Sequence, residues 1–248
     1  MLIFDNGIHA IALVKIDIIP RDLKFKKAAK TSRNTFEDRR IYLLKIYDPK
    51  NPTVVGCGEA APLSLLSIDD VPDYEQRLRD FARQVGEGAI LDDLDLDPYP
   101  SIRFGLETAL RDLSRNGNQV LFETAFTRGE PIKINGLVWM SDSNSMLKEA
   151  LHKASDFDTI KFKVGALDFD EECRMLESFR KSYSDSTHTV RLDANGAFEV
   201  DDALLKLKEL KRFGIHSIEQ PINAGQWDAM QELCAKSPVD VALDEELI

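Results

Sequence analysis

Ile160-Lys161-Phe162-Lys163-Val164-Gly165, Val190-Arg191-Leu192-Asp193-Ala194-Asn195, Ile215-His216-Ser217-Ile218-Glu219-Gln220-Pro221 and Val239-Asp240-Val241-Ala242-Leu243-Asp244-Glu245 are four short apolar segments, and each ends on charged residues. Each reads as a buried β-strand with its chemistry at the carboxyl end. From Lys163 to Asp193 is 30 positions, from Asp193 to Glu219 is 26, and from Glu219 to Asp244 is 25. A strand, its return helix and two loops take about 30 residues, so each step is one βα unit. Helical patterns fill the intervals: Leu204, Leu207, Leu210 and Phe213 in one, Trp227, Met230 and Leu233 in the next, at spacings of three and four. Consecutive parallel strands joined by helices present their carboxyl ends on one face. Lys161, Lys163, Asp193, Glu219 and Asp244 are therefore expected at one mouth.

Three carboxylates gathered there suit a hard divalent cation, since Mg²⁺ takes oxygen ligands and keeps room for water and substrate. Lys161 and Lys163 stand two residues apart, so both point to the same side of the sheet. A Lys beside a cation has its charged form disfavoured, which lowers its pKa toward the range in which it accepts a proton. The combination predicts proton abstraction next to a metal-bound carboxylate. Taken singly, Asp193 reads equally well as a helix cap, and the lysines as residues whose stems cover apolar surface. It is the joint placement at consecutive strand ends that favours a metal site.

The 248 residues suffice for one or two domains with a large core. A composition of 43% hydrophobic and 30% charged residues is that of a soluble globular protein. Acidic residues outnumber basic ones, 43 to 32, for a net charge of −11, which argues against a nucleic-acid partner. No apolar run approaches the roughly 18–20 residues that span a bilayer. Ile8 to Ile19 is broken by Lys15 and Asp17, and the amino end lacks a basic region and a small-residue cleavage site. The expectation is a cytoplasmic protein with a small-molecule carboxylate substrate and no membrane partner, its oligomeric state open. Cys57, Cys173 and Cys234 are widely separated and read as inert thiols. His9, His152, His188 and His216 form no ligand pair, and His216, out of phase with Ser217 and Glu219, is expected to face the helices. No Gly-rich phosphate loop or Gly-x-Ser-x-Gly elbow is present, against nucleotide and serine-hydrolase chemistry.

The amino-terminal part has a different period. Val14, Ile16 and Ile18 alternate with Lys15 and Asp17, a second strand runs from Ile41 to Tyr47, and the turn Asp48-Pro49-Lys50-Asn51-Pro52 feeds Thr53 to Glu59. This predicts a three-stranded antiparallel meander. Lys24 to Arg40, polar and basic, is expected as a solvated loop. A helix carrying Leu78, Phe81 and Val85 follows, then an acidic surface linker from Asp92 to Pro100 without the ligand order of an EF-hand. Ser101 is expected to cap an amphipathic helix striped by Ile102, Leu106, Ala109, Leu110 and Leu113 and ended by Gly117.

Pro131 to Met140 is the first of five parallel strand candidates, beginning near Ile132, Thr159, Thr189, Ile215 and Val239. A closed (β/α)₈ barrel needs eight. The expected organisation is an α+β amino-terminal domain, residues 1–130, followed by an α/β partial barrel, residues 131–248, truncated after strand five. Such an open edge invites completion by further chain or another subunit.

Lys161-Phe162-Lys163, Asp193-Ala194-Asn195, Glu219-Gln220-Pro221 and Asp244-Glu245-Glu246, in this order at βα spacing, resemble the muconate-lactonising branch of the enolase superfamily. There a Lys or His base works with Mg²⁺. Thr31-Ser32-Arg33, Gly58 to Ser64 and Ile134 to Met140 are similar to o-succinylbenzoate synthases in particular, with Asn34 standing where Gly is expected. The resemblance implies a capping domain ahead of a TIM-type barrel, and a lyase that dehydrates a cyclohexadiene carboxylate in menaquinone synthesis. It implies Lys163 as general base and then general acid, with Lys161 as a second positive charge. Asp193, Glu219 and Asp244 would be ligands of Mg²⁺, with Mn²⁺ as the alternative ion. Ser32 and Arg33 would meet the substrate from a loop over the mouth, and Asn195 would orient the site. The family's second catalytic Lys, expected on a sixth strand, has no counterpart in these residues. The same chemistry is shared by dipeptide epimerases, N-succinylamino acid racemases and muconate cycloisomerases. A rival of another class is a non-catalytic remnant that binds a partner through its open edge.

Overall fold

The computed structural model describes residues 4–5, 9–10, 13–30 and 35–247. The chain forms two compact units that part between Pro131 and Ile132.

In the first unit, β1 (Phe4–Asp5) and β2 (His9–Ala10) pair antiparallel. The expected meander is β3 (Lys15–Lys30), β4 (Thr35–Asp48) and β5 (Asn51–Ala60), in that order across the sheet. Its hairpin runs further than the alternation indicated. Lys24 and Asp38, expected in a loop, are paired across β3 and β4, as are Asp22 and Arg40. Opposite charges facing across a ladder stabilise a strand as apolar pairs do. Arg40 adds a two-pronged contact to Asp22, Nε to Oδ1 at 2.7 Å and Nη2 to Oδ2 at 2.9 Å. Ser32 and Arg33 lie outside the described residues.

Helices α1 (Tyr74–Gly86) and α2 (Pro100–Ser114) pack on the meander around Leu44, Ile46, Leu78, Leu106 and Leu110. Two expectations are corrected here. Ser101 does not cap α2, because Pro100 already opens the helix and Ser101 lies within its first turn. The buried carboxylate of Asp69 serves instead, its Oδ2 accepting from Ser101 N at 2.8 Å and from Ser101 Oγ at 2.5 Å. A negative group there answers the unpaired N–H groups of a helix start. The acidic connection is also more than surface: Leu96, with Leu91 just before it, is buried in the core.

Helix α2 meets β5 with no space between backbones. A Cβ on Gly56 would stand 2.1 Å from the Ala109 carbonyl oxygen, which a flexible side chain cannot relieve. Gly56→Ala is expected to cost about 2 kcal/mol or more, checked by urea unfolding. A cost under about 0.5 kcal/mol would mean that α2 is not held against β5 this closely.

The second unit alternates strand and helix: β6 (Gly136–Val138), α3 (Ser143–Lys153), β7 (Thr159–Lys163), α4 (Phe169–Ser182), β8 (Thr189–Asp193), α5 (Val200–Leu210), β9 (Ile215–Glu219), α6 (Trp227–Lys236) and β10 (Asp240–Ala242). The strands are parallel in the order β10-β9-β8-β7-β6, so chain neighbours are sheet neighbours. Asp142 and Asp168 cap α3 and α4 through side-chain bonds to backbone N–H groups.

The strands alternate rather than being apolar throughout. Ile160, Phe162, Val190, Leu192 and Ile218 are fully buried and belong to one core with Leu176, Phe179 and Leu207 of the helices. Phe162 meets Phe179 edge-on, with ring centroids 5.3 Å apart. The intervening positions Lys161, Lys163, Arg191, Asp193, Ser217 and Glu219 fall on the opposite face. His216, expected to face the helices, is exposed. Among the described residues no helix is long and apolar enough to cross a membrane.

Candidate active site

Register decides which charged residues meet. Lys163, Asp193 and Glu219 stand side by side across β7, β8 and β9, and Lys161, Arg191 and Ser217 form the row beneath. A long lysine stem from the lower row reaches the upper one. Lys161 Nζ lies 2.9 Å from Asp193 Oδ2 and 2.9 and 2.8 Å from the two oxygens of Glu219. Lys163 Nζ donates to Asp193 Oδ2 at 2.5 Å and to Asn195 Oδ1 at 2.8 Å. Asp193 is 0% exposed, whereas the lysines retain 19% and Glu219 25% of their side-chain surface. The shared acceptor Asp193 is thus withdrawn from water, while Glu219 and both lysines stay partly accessible.

The electrostatics follow from this crowding. Burial disfavours a charged Asp193, but hydrogen bonds and charge from both lysines outweigh it and hold the carboxyl below its ordinary 3.8. Glu219 goes the other way: burial and the neighbouring Asp193 charge raise it above 4.5 against the pull of Lys161. Burial alone would lower Lys161, yet its bonds to Asp193 and Glu219 prevail and raise it above 10.5. A nearby cation is what would tune a lysine downward; beside the anions Asp193 and Glu219, Lys161 is tuned upward.

Asp244 follows β10, one strand further on, with its side chain exposed and its N–H donating to Gln220 Oε1 at 3.2 Å. In this arrangement no three His, Cys, Asp or Glu side chains among the described residues stand close enough together to hold an ion. The donor chemistry nevertheless fits one. Asp193 and Glu219 turn three carboxylate oxygens onto a single positive centre, the Lys161 ammonium, within 2.9 Å. Hard oxygen donors converging on a point charge are what Mg²⁺ takes.

Several neighbours went unassigned in the sequence reading. Arg191 shares parity with Asp193 and donates from Nη1 to Asn135 Oδ1 at 3.4 Å; a charged residue on the inward phase of a strand was the available signal. Glu172 on α4 turns back to accept from Gly165 N at 2.6 Å and Leu167 N at 3.3 Å, fastening the loop that follows Lys163. Its burial raises the carboxyl above 4.5 despite those bonds. Nothing in its local sequence marks it. Asn195 donates from Nδ2 to Glu245 Oε1 at 3.1 Å while holding Lys163, so one amide links β8 to the segment after β10. Asn195 and Gln220 have φ of 45° and 40°, left-handed backbone at two adjacent strand ends. Non-glycine residues in that region cost of order 1–3 kcal/mol and concentrate at functional sites.

An antiparallel α+β unit followed by parallel βα units with ionisable residues at consecutive strand ends is the plan of the enolase superfamily, and a family model described as enolase C-terminal domain-like matches residues 145–248. The o-succinylbenzoate synthase of Desulfotalea psychrophila is 45% identical over 184 residues, 72% of this chain and 48% of that protein. The crystal structure of MenC from Desulfotalea psychrophila superposes with a TM-score of 0.80 at 32% identity, covering 96% of this chain and 72% of that one. Within the superfamily, the chain belongs to the o-succinylbenzoate synthase family. It spans about half the length of the curated relative it matches. The o-succinylbenzoate synthase of Thermosynechococcus elongatus, whose structure holds Mg in its active site, has the same fold, with a TM-score of 0.75 at 22% identity over 93% of this chain and 68% of that one.

Proposed function

We propose that this protein acts as an o-succinylbenzoate synthase, a cytoplasmic lyase of menaquinone biosynthesis that dehydrates 2-succinyl-6-hydroxy-2,4-cyclohexadiene-1-carboxylate. The observation that carries the reading is the convergence of Lys161, Lys163, Asp193 and Glu219 at the carboxyl ends of three adjacent strands. Residues 1–130 serve as the capping domain and residues 131–248 carry the chemistry. Asp193, Glu219 and Asp244 hold Mg²⁺, or alternatively Mn²⁺, which supplies positive charge where the substrate carboxylate gathers negative charge.

The protein's own groups move the proton. Lys163 Nζ, in its neutral form, takes the proton from the carbon beside the carboxylate, and the electron pair left behind forms the new double bond as the hydroxyl departs. The same ammonium then returns its proton to the leaving oxygen, so water is released and the lysine is neutral again. Lys161 adds a second positive charge beside the carboxylates. Asn195 keeps Lys163 aimed, and Ser32 and Arg33 contact the substrate. A net charge of −11 makes a small carboxylate held by local cations a better partner than any nucleic acid.

The test is Mg²⁺-dependent dehydration followed by product absorbance. Turnover is expected with Mg²⁺ and lost on chelation. Epimerisation of a dipeptide or racemisation of an N-succinylamino acid at a rate exceeding dehydration would assign the site to the related chemistry instead. Metal-independent turnover would remove the ion from its role.

A further inference from the structure

We propose that Gln220 and Glu246 are a pair of positioning residues that hang the segment carrying Asp244 and Glu245 on the turn after β9. The inference rests on the metal-site reading above and extends it to residues that touch neither metal nor substrate. β10 is only three residues long, and its ladder with β9 ends at Ala242 opposite Glu219. One backbone bond follows, Gln220 N to Ala242 O at 2.9 Å. Past that point the Gln220 side chain takes over.

The amide of Gln220 is 0% exposed, and all four of its hydrogen-bonding positions are used. Its Oε1 accepts from Asp244 N at 3.2 Å and from Glu246 N at 3.3 Å. Its Nε2 donates to Ile222 O at 3.0 Å and to Glu246 Oε2 at 2.9 Å. Glu246, 7% exposed, answers with Oε1, which accepts from Gly225 N at 2.7 Å. The two side chains therefore tie both ends of the β9 turn to the segment after β10. Glu245 lies between two residues pinned by Gln220 and reaches Asn195, which in turn holds Lys163. The left-handed backbone at Gln220 puts its amide where strand continuation would not. A buried amide with every position satisfied is stiff, and a metal ligand placed by a stiff neighbour keeps its affinity.

The experiment uses the chain as it stands, with Mn²⁺ alone as the metal probe by calorimetry and with amide hydrogen exchange at Asp244 and Glu246. Gln220→Ala is expected to weaken Mn²⁺ by about 10- to 100-fold. It should also speed exchange of those two amides by about tenfold or more, with the amides of β7 and β8 unchanged. The exchange of partners in Gln220→Glu/Glu246→Gln keeps four of the five hydrogen bonds, losing only the one to Ile222 O, and should recover most of both values. Should Gln220→Ala fail to fold, Glu246→Gln is read in the same way, since an amide there must lose either Gly225 or Gln220 as a partner. Unchanged amide exchange in a folded variant overturns the proposal, as does unchanged Mn²⁺ affinity where the parent binds the ion. Failure of the parent to bind Mn²⁺, or binding unaffected by Asp193→Asn, overturns the metal reading instead, and the exchange measurement still decides the pairing.

Discussion

Lys163→Ala is expected to lower the dehydration kcat by at least about 10³-fold, toward the upper end of what a positioned general base contributes, while leaving Mg²⁺ affinity within a few-fold. The separation follows from geometry. Lys163 supplies no oxygen donor, and Asp193 has a second cationic partner in Lys161, 2.9 Å away in the unsubstituted protein. Lys163→Arg sharpens the test. A guanidinium preserves the charge beside Asp193 but stays protonated at any working pH, so it cannot take a proton. Loss of turnover in both variants, with the fold and metal affinity kept, identifies a proton carrier. Substantial turnover in Lys163→Arg would show that Lys163 contributes charge only.

The second large effect is on stability. Asp193→Asn is expected to cost about 3–5 kcal/mol, the range for breaking a buried ion pair by removing one partner. Asp193 is fully buried and accepts from two ammonium groups at once, so its neutralisation leaves Lys161 with Glu219 alone and Lys163 with the amide oxygen of Asn195. Urea unfolding of the metal-free protein measures this directly. A cost below about 1 kcal/mol would place the network among exposed ion pairs, which contribute little, and would mean that the lysines do not rest on Asp193 in solution.

Legibility varied with the kind of interaction. The βα spacing of Lys163, Asp193, Glu219 and Asp244 was open to reading because a strand and its return helix consume a nearly constant length of chain. The side-by-side placement of Lys163, Asp193 and Glu219 followed from parallel register. The hairpin of β3 and β4 was underestimated because its outer part is held by cross-strand charge pairs such as Asp22 with Arg40, which give no apolar alternation. Ser101 looked like a cap because a serine opening an amphipathic stripe is the local signature, yet Asp69, 32 positions earlier, had the better claim once the chain was folded.

The sequence by itself determined the order of the elements, the two periods that separate an antiparallel unit from a parallel one, and the parity that sends Lys161, Lys163, Asp193 and Glu219 to one face. These are local or periodic properties, set by backbone geometry and side-chain polarity. Only the tertiary structure decided that Lys161 bridges two carboxylates, that Glu172 and Asp69 are buried acceptors for distant N–H groups, and that Gln220 and Glu246 prolong a ladder whose strand has ended. Those outcomes depend on which atoms loops far apart in the chain bring within hydrogen-bonding distance, and a polar group withdrawn from water takes whatever partner the packing leaves within reach.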